Sequence, residues 1–210
     1  MSYIANNIKT IKAELANKCK LIAVSKNHST NAVQQAIQAG HTIFGENKVQ
    51  EASTKFKDIN NIELHLIGPL QTNKIKQALS TFDFIQTIDR EKLANKIATE
   101  LSNKDYRCKQ FFIQVNIGEE PQKSGIMPLE ADSFIKYCQH DLNLNVTGVM
   151  CIPPADDINN HFLHFGLTRN FAKHHNLPNI SMGMSADWQL ASKMGATHIR
   201  LGTGIFGPRN

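Results

Sequence analysis

Eight short apolar runs, each partly β-branched or aromatic, recur along the chain, and each is separated from the next by a stretch with helical spacing. The runs lie at 21–26, 42–47, 62–68, 82–88, 110–117, 144–150, 179–184 and 198–204. Helical stretches are expected from Thr30 or Asn31 to Ala39 and at 49–56, 73–79, 129–139, 158–174 and 186–194, with one capped by Asp89 and running to Leu101. Strands that alternate with helices pair in parallel through right-handed crossovers. Eight such units predict a closed (β/α)8 barrel of TIM type rather than an open doubly wound sheet. Ile4, Ile8, Ile11 and Leu15 at helical spacing add an extra amphipathic helix over 3–18, ahead of the first strand. No linker, tandem repeat or low-complexity segment interrupts the pattern, so a single domain over 1–210 is expected.

Composition narrows the function classes. Hydrophobic residues make up 41% and charged residues 20% of 210, an ordinary globular balance. No apolar run approaches the ~18 residues of a membrane span, and the N-terminus lacks a basic segment followed by an apolar one. The cysteines Cys19, Cys108, Cys138 and Cys151 form no Cys-x-x-Cys pair, which fits reduced thiols in a cytoplasm. The net charge of +5 comes from scattered lysines with no basic run interleaved with aromatics. That pattern argues against nucleic acid and suits a small anionic ligand.

In a barrel of this kind, function sits at the C-terminal ends of the strands. There the chain places Lys26, at the end of the apolar run Leu21-Ile22-Ala23-Val24. A lysine in this position either snorkels outward, pairs with a carboxylate, or serves as a desolvated amine able to form an imine with an aldehyde. The loops after strands 7 and 8 are the usual phosphate site of the fold, and they read Ser181-Met182-Gly183-Met184-Ser185 and Arg200-Leu201-Gly202-Thr203-Gly204. Small residues let backbone N–H groups approach a phosphate, and Ser185 and Thr203 add hydroxyl donors. An aldehyde at one end and a phosphate at the other describes pyridoxal 5'-phosphate (PLP), and equally a sugar phosphate in a lysine aldolase. His161, His164, His174 and His175 fall on one helical stretch without a His-Glu-x-x-His motif; they read as a solvated face, and no metal site is expected.

The segments Ala23-Val24-Ser25-Lys26, Phe44-Gly45-Glu46-Asn47-Lys48-Val49-Gln50-Glu51, His65-Leu66-Ile67-Gly68-Pro69-Leu70-Gln71-Thr72-Asn73-Lys74, Gln114-Val115-Asn116-Ile117, Lys123-Ser124-Gly125 and the two loops above closely resemble the pyridoxal phosphate homeostasis protein family, in order and over nearly the whole chain. That family is similar to the N-terminal barrel of alanine racemase. The resemblance implies that Lys26 holds PLP as an internal aldimine and that Arg200 lies beside the pyridine nitrogen. It further implies that Ser185, Gly202 and Thr203 bind phosphate, and that Asn47 and His65 line the pocket. Leu64 stands where the family often has tryptophan, expected as a surface or packing swap, and Asn27-His28-Ser29 replaces a more usual Thr-Lys-Pro.

The function implied is a cytoplasmic, monomeric PLP carrier of vitamin B6 homeostasis that supplies apo PLP-dependent enzymes and is not itself an enzyme. Its alternative is a small PLP-dependent amino-acid racemase. The carrier is favoured because the chain stops at Asn210, where alanine racemase resembles a barrel followed by a β-domain with a catalytic tyrosine. Tyr3, Tyr106 and Tyr137 are not at expected strand ends.

Overall fold

The computed structural model describes residues 2–16 and 19–208. Its strands are β1 (Lys20–Val24), β2 (Ile43–Glu46), β3 (Glu63–Leu66), β4 (Phe84–Ile88), β5 (Gln110–Val115), β6 (Val146–Cys151), β7 (Asn179–Ser181) and β8 (His198–Leu201). They pair in parallel in chain order and close, β1 against β8, into a barrel. The helices are α1 (Tyr3–Glu14), α2 (Thr30–Gln38), α3 (Val49–Lys55), α4 (Ile75–Thr81), α5 (Glu91–Asn103), α6 (Pro128–Lys136), α7 (His161–His174), α8 (Trp188–Lys193) and α9 (Thr203–Phe206).

The extra N-terminal helix is present. Ser2 caps α1 by accepting from the Ala5 N–H, and Ile4, Ile8 and Ile11 face inward. Residues 17 and 18 of the expected 3–18 helix lie outside the described residues, and α1 ends at Glu14.

Side chains alternate across each strand, and the two faces differ. Leu21, Ala23, Phe44, Leu64, Leu66, Ile85, Ile113, Ile199 and Leu201 join the inner faces of the helices in one apolar core. Leu64 is fully buried in it, so the residue that stands in place of tryptophan packs the core rather than the surface. The barrel interior is different. A small separate cluster of Phe84, Phe112 and Met150 shares it with the buried polar side chains His65, Gln86, Ser181, His198 and Arg200. Branched aliphatic layers are the usual filling. Phe112 fits because Gly148 sits opposite it; a Cβ there would lie 2.9 Å from the Phe112 ring.

Strand 8 is shorter than expected. It ends at Leu201, and the Ile205 and Phe206 N–H groups bond to Gly202 O, which turns 203–206 into α9. Likewise β7 stops at Ser181: Gly183 adopts φ +93°, and the Met184 N–H bonds the Asp187 carboxylate at 2.6 Å. Only Ser181, Arg200 and Leu201 of the two phosphate-loop sequences are strand; the rest, from Met182 and from Gly202 onward, lies beyond the strands.

Phe112→Ala should cost about 3–5 kcal/mol, because the closed barrel wall cannot collapse onto the cavity. Urea denaturation measures this; a cost below ~1 kcal/mol would contradict the packed interior.

Candidate functional site at the C-terminal mouth

A cavity of about 140 Å³ opens where the strands end. Lys26, Asn47, Ser185, Arg200, Gly202 and Thr203 line it together with the apolar side chains of Val24, Ile67, Ile152 and Met184. Residues more than a hundred positions apart meet there because parallel closure sets β1 beside both β2 and β8. Arg200 is buried and crosses the interior: Nη1 donates to Ser181 Oγ at 2.7 Å and Nη2 to Cys151 O at 2.8 Å. Burial pulls its pKa below the ordinary value, but a guanidinium stays charged in proteins.

His65 is the exception among the expected pocket residues. It is fully buried inside the barrel, stacked on Phe84 at 4.3 Å, with Nε2 against Glu63 and Nδ1 against Gln86, both at 2.8 Å. It does not line the cavity. The reason is register. Inward positions on this stretch recur every two residues, and Ile67, one inward step further along the chain, is the side chain that reaches the mouth.

A polar clamp with no signature in the sequence grips the chain on both sides of Lys26. Lys55, on α3, donates to Ser25 O at 2.6 Å, to Glu46 Oε1 at 2.7 Å and to Glu51 Oε1 at 2.8 Å. Ser25 Oγ donates to the same Glu46 oxygen at 2.8 Å, and the Asn27 N–H donates to Glu51 at 2.7 Å. Glu46 and Lys55 are almost completely buried. Burial raises the Glu46 carboxyl above its ordinary value, with Lys55 opposing. Burial would raise Glu51 too, but bonds from Lys55 and the Asn27 N–H hold it below. Asn27 itself takes φ +62°, and the His28 ring stacks on Phe206 at 4.9 Å, so the unusual loop after Lys26 is anchored to α9.

Other expectations change. His161 is not on a solvated face: it is buried, with Nε2 at 2.8 Å from Pro154 O and Nδ1 at 2.8 Å from Asp187. The ring thus ties the loop after β6 to the turn that presents Met184 and Ser185. His164 pairs with Asp157, and His175 with Asp132. Apart from these, the loop over 118–125 folds back on β5, with Ile126 bridging Val115 and Gln114 Nε2 donating to Ser124 O at 3.0 Å.

Removing the Lys55 ammonium leaves Glu46 buried without its counter-charge, so Lys55→Met should cost about 3–5 kcal/mol in urea denaturation. The pair Glu46→Leu with Lys55→Met should recover most of that loss; equal losses in single and double variants would contradict a paired clamp.

His198 supplies a pH test. It is packed among His65, Phe84 and Phe112. Burial foremost, with the positive charges of Lys20 and Arg200 adding, lowers its pKa from 6.5 to about 3; Glu63 opposes. The unfolded chain takes up this proton near 6.5 and the folded one only near 3. Stability from this group is therefore complete above 6.5 and declines as pH falls, by about 1.4 kcal/mol per pH unit. His198→Gln should make the stability profile between pH 6 and 4 shallower by about one proton. An unchanged slope in urea titrations would contradict a neutral buried imidazole.

Three comparisons bear on the site. The profile of the family described as "Alanine racemase, N-terminal domain" matches residues 1–210. The chain is 36% identical to the pyridoxal phosphate homeostasis protein of Haemophilus influenzae, covering 99% of this chain and 96% of that protein. It is 32% identical to the Escherichia coli protein of the same name, over 100% and 98%. Among solved structures, PipY of Synechococcus elongatus with PLP bound is similar at a TM-score of 0.85 and 34% identity, over 97% of this chain and 100% of PipY. Alanine racemase from E. faecalis, at 16% identity and a TM-score of 0.77, shares the fold, with this chain covering 58% of it.

Proposed function

Because the chain belongs to the pyridoxal phosphate homeostasis protein family, whose barrel is of the alanine racemase N-terminal type, we propose that it holds PLP in the cavity at the C-terminal mouth, covalently through Lys26. In this reading it works in vitamin B6 homeostasis, keeping a reactive aldehyde sequestered and passing it to apo-enzymes. The chain acts as one PLP-binding unit, monomeric and cytoplasmic. Four free cysteines suit a reducing compartment, and no helix among the described residues is long and apolar enough to cross a membrane.

The observation that carries the reading is the meeting of a lysine, a guanidinium and two hydroxyl-bearing turns around one cavity. The donor set suits the cofactor. Asn47 Oδ1 is buried with no protein partner, so the wall holds an acceptor still to be satisfied. At Gly202 a Cβ would crowd Val24 O at 3.3 Å, so the bare backbone suits this wall. When bound, PLP supplies an aldehyde that an amine can capture and a pyridine ring that can delocalise negative charge. The chain's own residues restrict that chemistry. Arg200 is a fixed cation on the cavity wall and disfavours a second positive charge on a bound pyridine ring, which weakens the ring as an electron sink. No Asp, Glu, His, Tyr or Cys is among the described residues lining the cavity, which favours the carrier reading over two-base racemisation. Ser185 and Thr203 are hydroxyl donors on adjacent turns and suit the phosphate.

The purified protein should take up PLP with a visible absorption band, and Lys26→Ala should abolish the band without unfolding the barrel. With L-alanine in heavy water the loaded protein should neither accumulate D-alanine nor exchange the α-proton at enzyme rates. A colourless loaded wild type would contradict PLP binding through lysine, and sustained turnover would replace the carrier with the racemase.

A further inference from the structure

Arg200 is one end of a continuous hydrogen-bond chain through the barrel. Its Nη1 donates to Ser181 Oγ (2.7 Å), Ser181 Oγ donates to Gln86 Oε1 (2.6 Å), Gln86 Nε2 meets His65 Nδ1 (2.8 Å), and His65 Nε2 meets Glu63 Oε1 (2.8 Å). Lys20 closes the far end, with Nζ 3.1 Å from both Glu63 oxygens, at the N-terminal mouth. The links come from β8, β7, β4, β3 and β1, and four of the side chains, Arg200, Ser181, Gln86 and His65, are buried.

The ends force the direction of every proton. A guanidinium only donates, so Ser181 accepts from Arg200 and turns its own hydrogen toward Gln86. An ionised carboxylate only accepts, so His65 donates to Glu63 from Nε2. Burial alone would raise the Glu63 carboxyl, but hydrogen bonds from His65 and Lys20 and the Lys20 charge hold it at about 2. Burial also lowers the His65 pKa, which favours the neutral ring, so Nδ1 carries a lone pair and Gln86 must present its NH2 group there. The Gln86 carbonyl then faces Ser181, as observed. Direction set from the carboxylate end agrees with direction set from the guanidinium end. The same proton placement weighs against a metal among Glu63, His65 and His198: the His65 nitrogen facing Glu63 bears a proton, and Lys20 already occupies that carboxylate.

We propose that Ser181, Gln86, His65 and Glu63 are positioning residues for Arg200, forming a one-directional hydrogen-bond chain that transmits the state of the N-terminal mouth to the cofactor cavity. This rests on the PLP reading for its consequence but not for its existence. It gives His65 a role through the chain rather than at the cavity wall. Breaking the chain lets the guanidinium turn, which alters the electrostatics around a bound pyridine ring and so its absorption.

Two arms test it. In the protein without cofactor, nitrogen-15 NMR of the histidine rings should show His65 neutral with its proton on Nε2; a proton on Nδ1, or an imidazolium at pH 7, overturns the chain. In the PLP-loaded protein, Gln86→Leu and Ser181→Ala should shift the absorption band and weaken PLP retention about tenfold. Glu63→Gln should shift the band the same way but less, and Ser181→Thr, which keeps the hydroxyl, should restore it. Phe112→Leu, which disturbs interior packing without touching the chain, should leave the band in place. If Phe112→Leu shifts the band as Gln86→Leu does, or if Gln86→Leu leaves it unmoved, the positioning role fails. Failure of the wild type to take up PLP would overturn the link to the cofactor and leave the NMR result to judge the chain.

Discussion

A guanidinium buried inside a closed barrel is costly unless protein oxygens or an anion meet it. Arg200 is in that position, and much of the interior is arranged around it. Ser181 Oγ and Cys151 O accept two of its donors, and the hydrogen-bond chain behind Ser181 keeps that hydroxyl in accepting orientation. The remaining face borders the cavity at the C-terminal mouth. An anionic, aromatic ligand with an aldehyde answers both requirements of that cavity: negative charge near the cation and an electrophile within reach of Lys26.

The interior explains the balance between binding and chemistry. A polar layer of His65, Gln86, Ser181, His198 and Arg200 replaces aliphatic filling, with Phe84, Phe112 and Met150 packed beside it. His65, Gln86 and Ser181 are partnered within the interior, and of this layer only Arg200 borders the cavity. His65 and Glu63, the most obvious acid–base pair, are committed to the N-terminal half of the barrel. Among the described residues lining the cavity, the polar groups are Lys26, Arg200, the Asn47 amide and the hydroxyls of Ser185 and Thr203. Such a set suits the capture of a phosphorylated aldehyde.

Much of this was legible in the sequence, and the limits have physical causes. Strand–helix alternation is a local pattern, so the eight strands, their parallel closure and the mouth residues Lys26, Asn47, Ser185, Arg200, Gly202 and Thr203 emerged from periodicity, topology and family resemblance. Depth along the barrel axis is not local. His65 and Ile67 share an inward parity, and only register decides which one reaches the cavity. The clamp on Lys26 joins Ser25 to Lys55, thirty positions apart, and a lone helical lysine carries no sign of such a partner. His161 looked like part of a solvated histidine face because its spacing to His164 is helical; its burial comes from Asp187 and Pro154, which are brought in by other loops. The turn at α9 was hidden because Gly202-Thr203-Gly204 suits both a strand end and a tight helical turn.

The central claim is that the amine of Lys26 is the covalent anchor for PLP. Borohydride reduction of the loaded protein, with subsequent proteolysis and mass mapping of the peptides, addresses it without reference to activity. The account predicts the phosphopyridoxyl group on Lys26 at close to one per chain. Its appearance on Lys55, Lys20 or another lysine, with Lys26 unmodified, would contradict it.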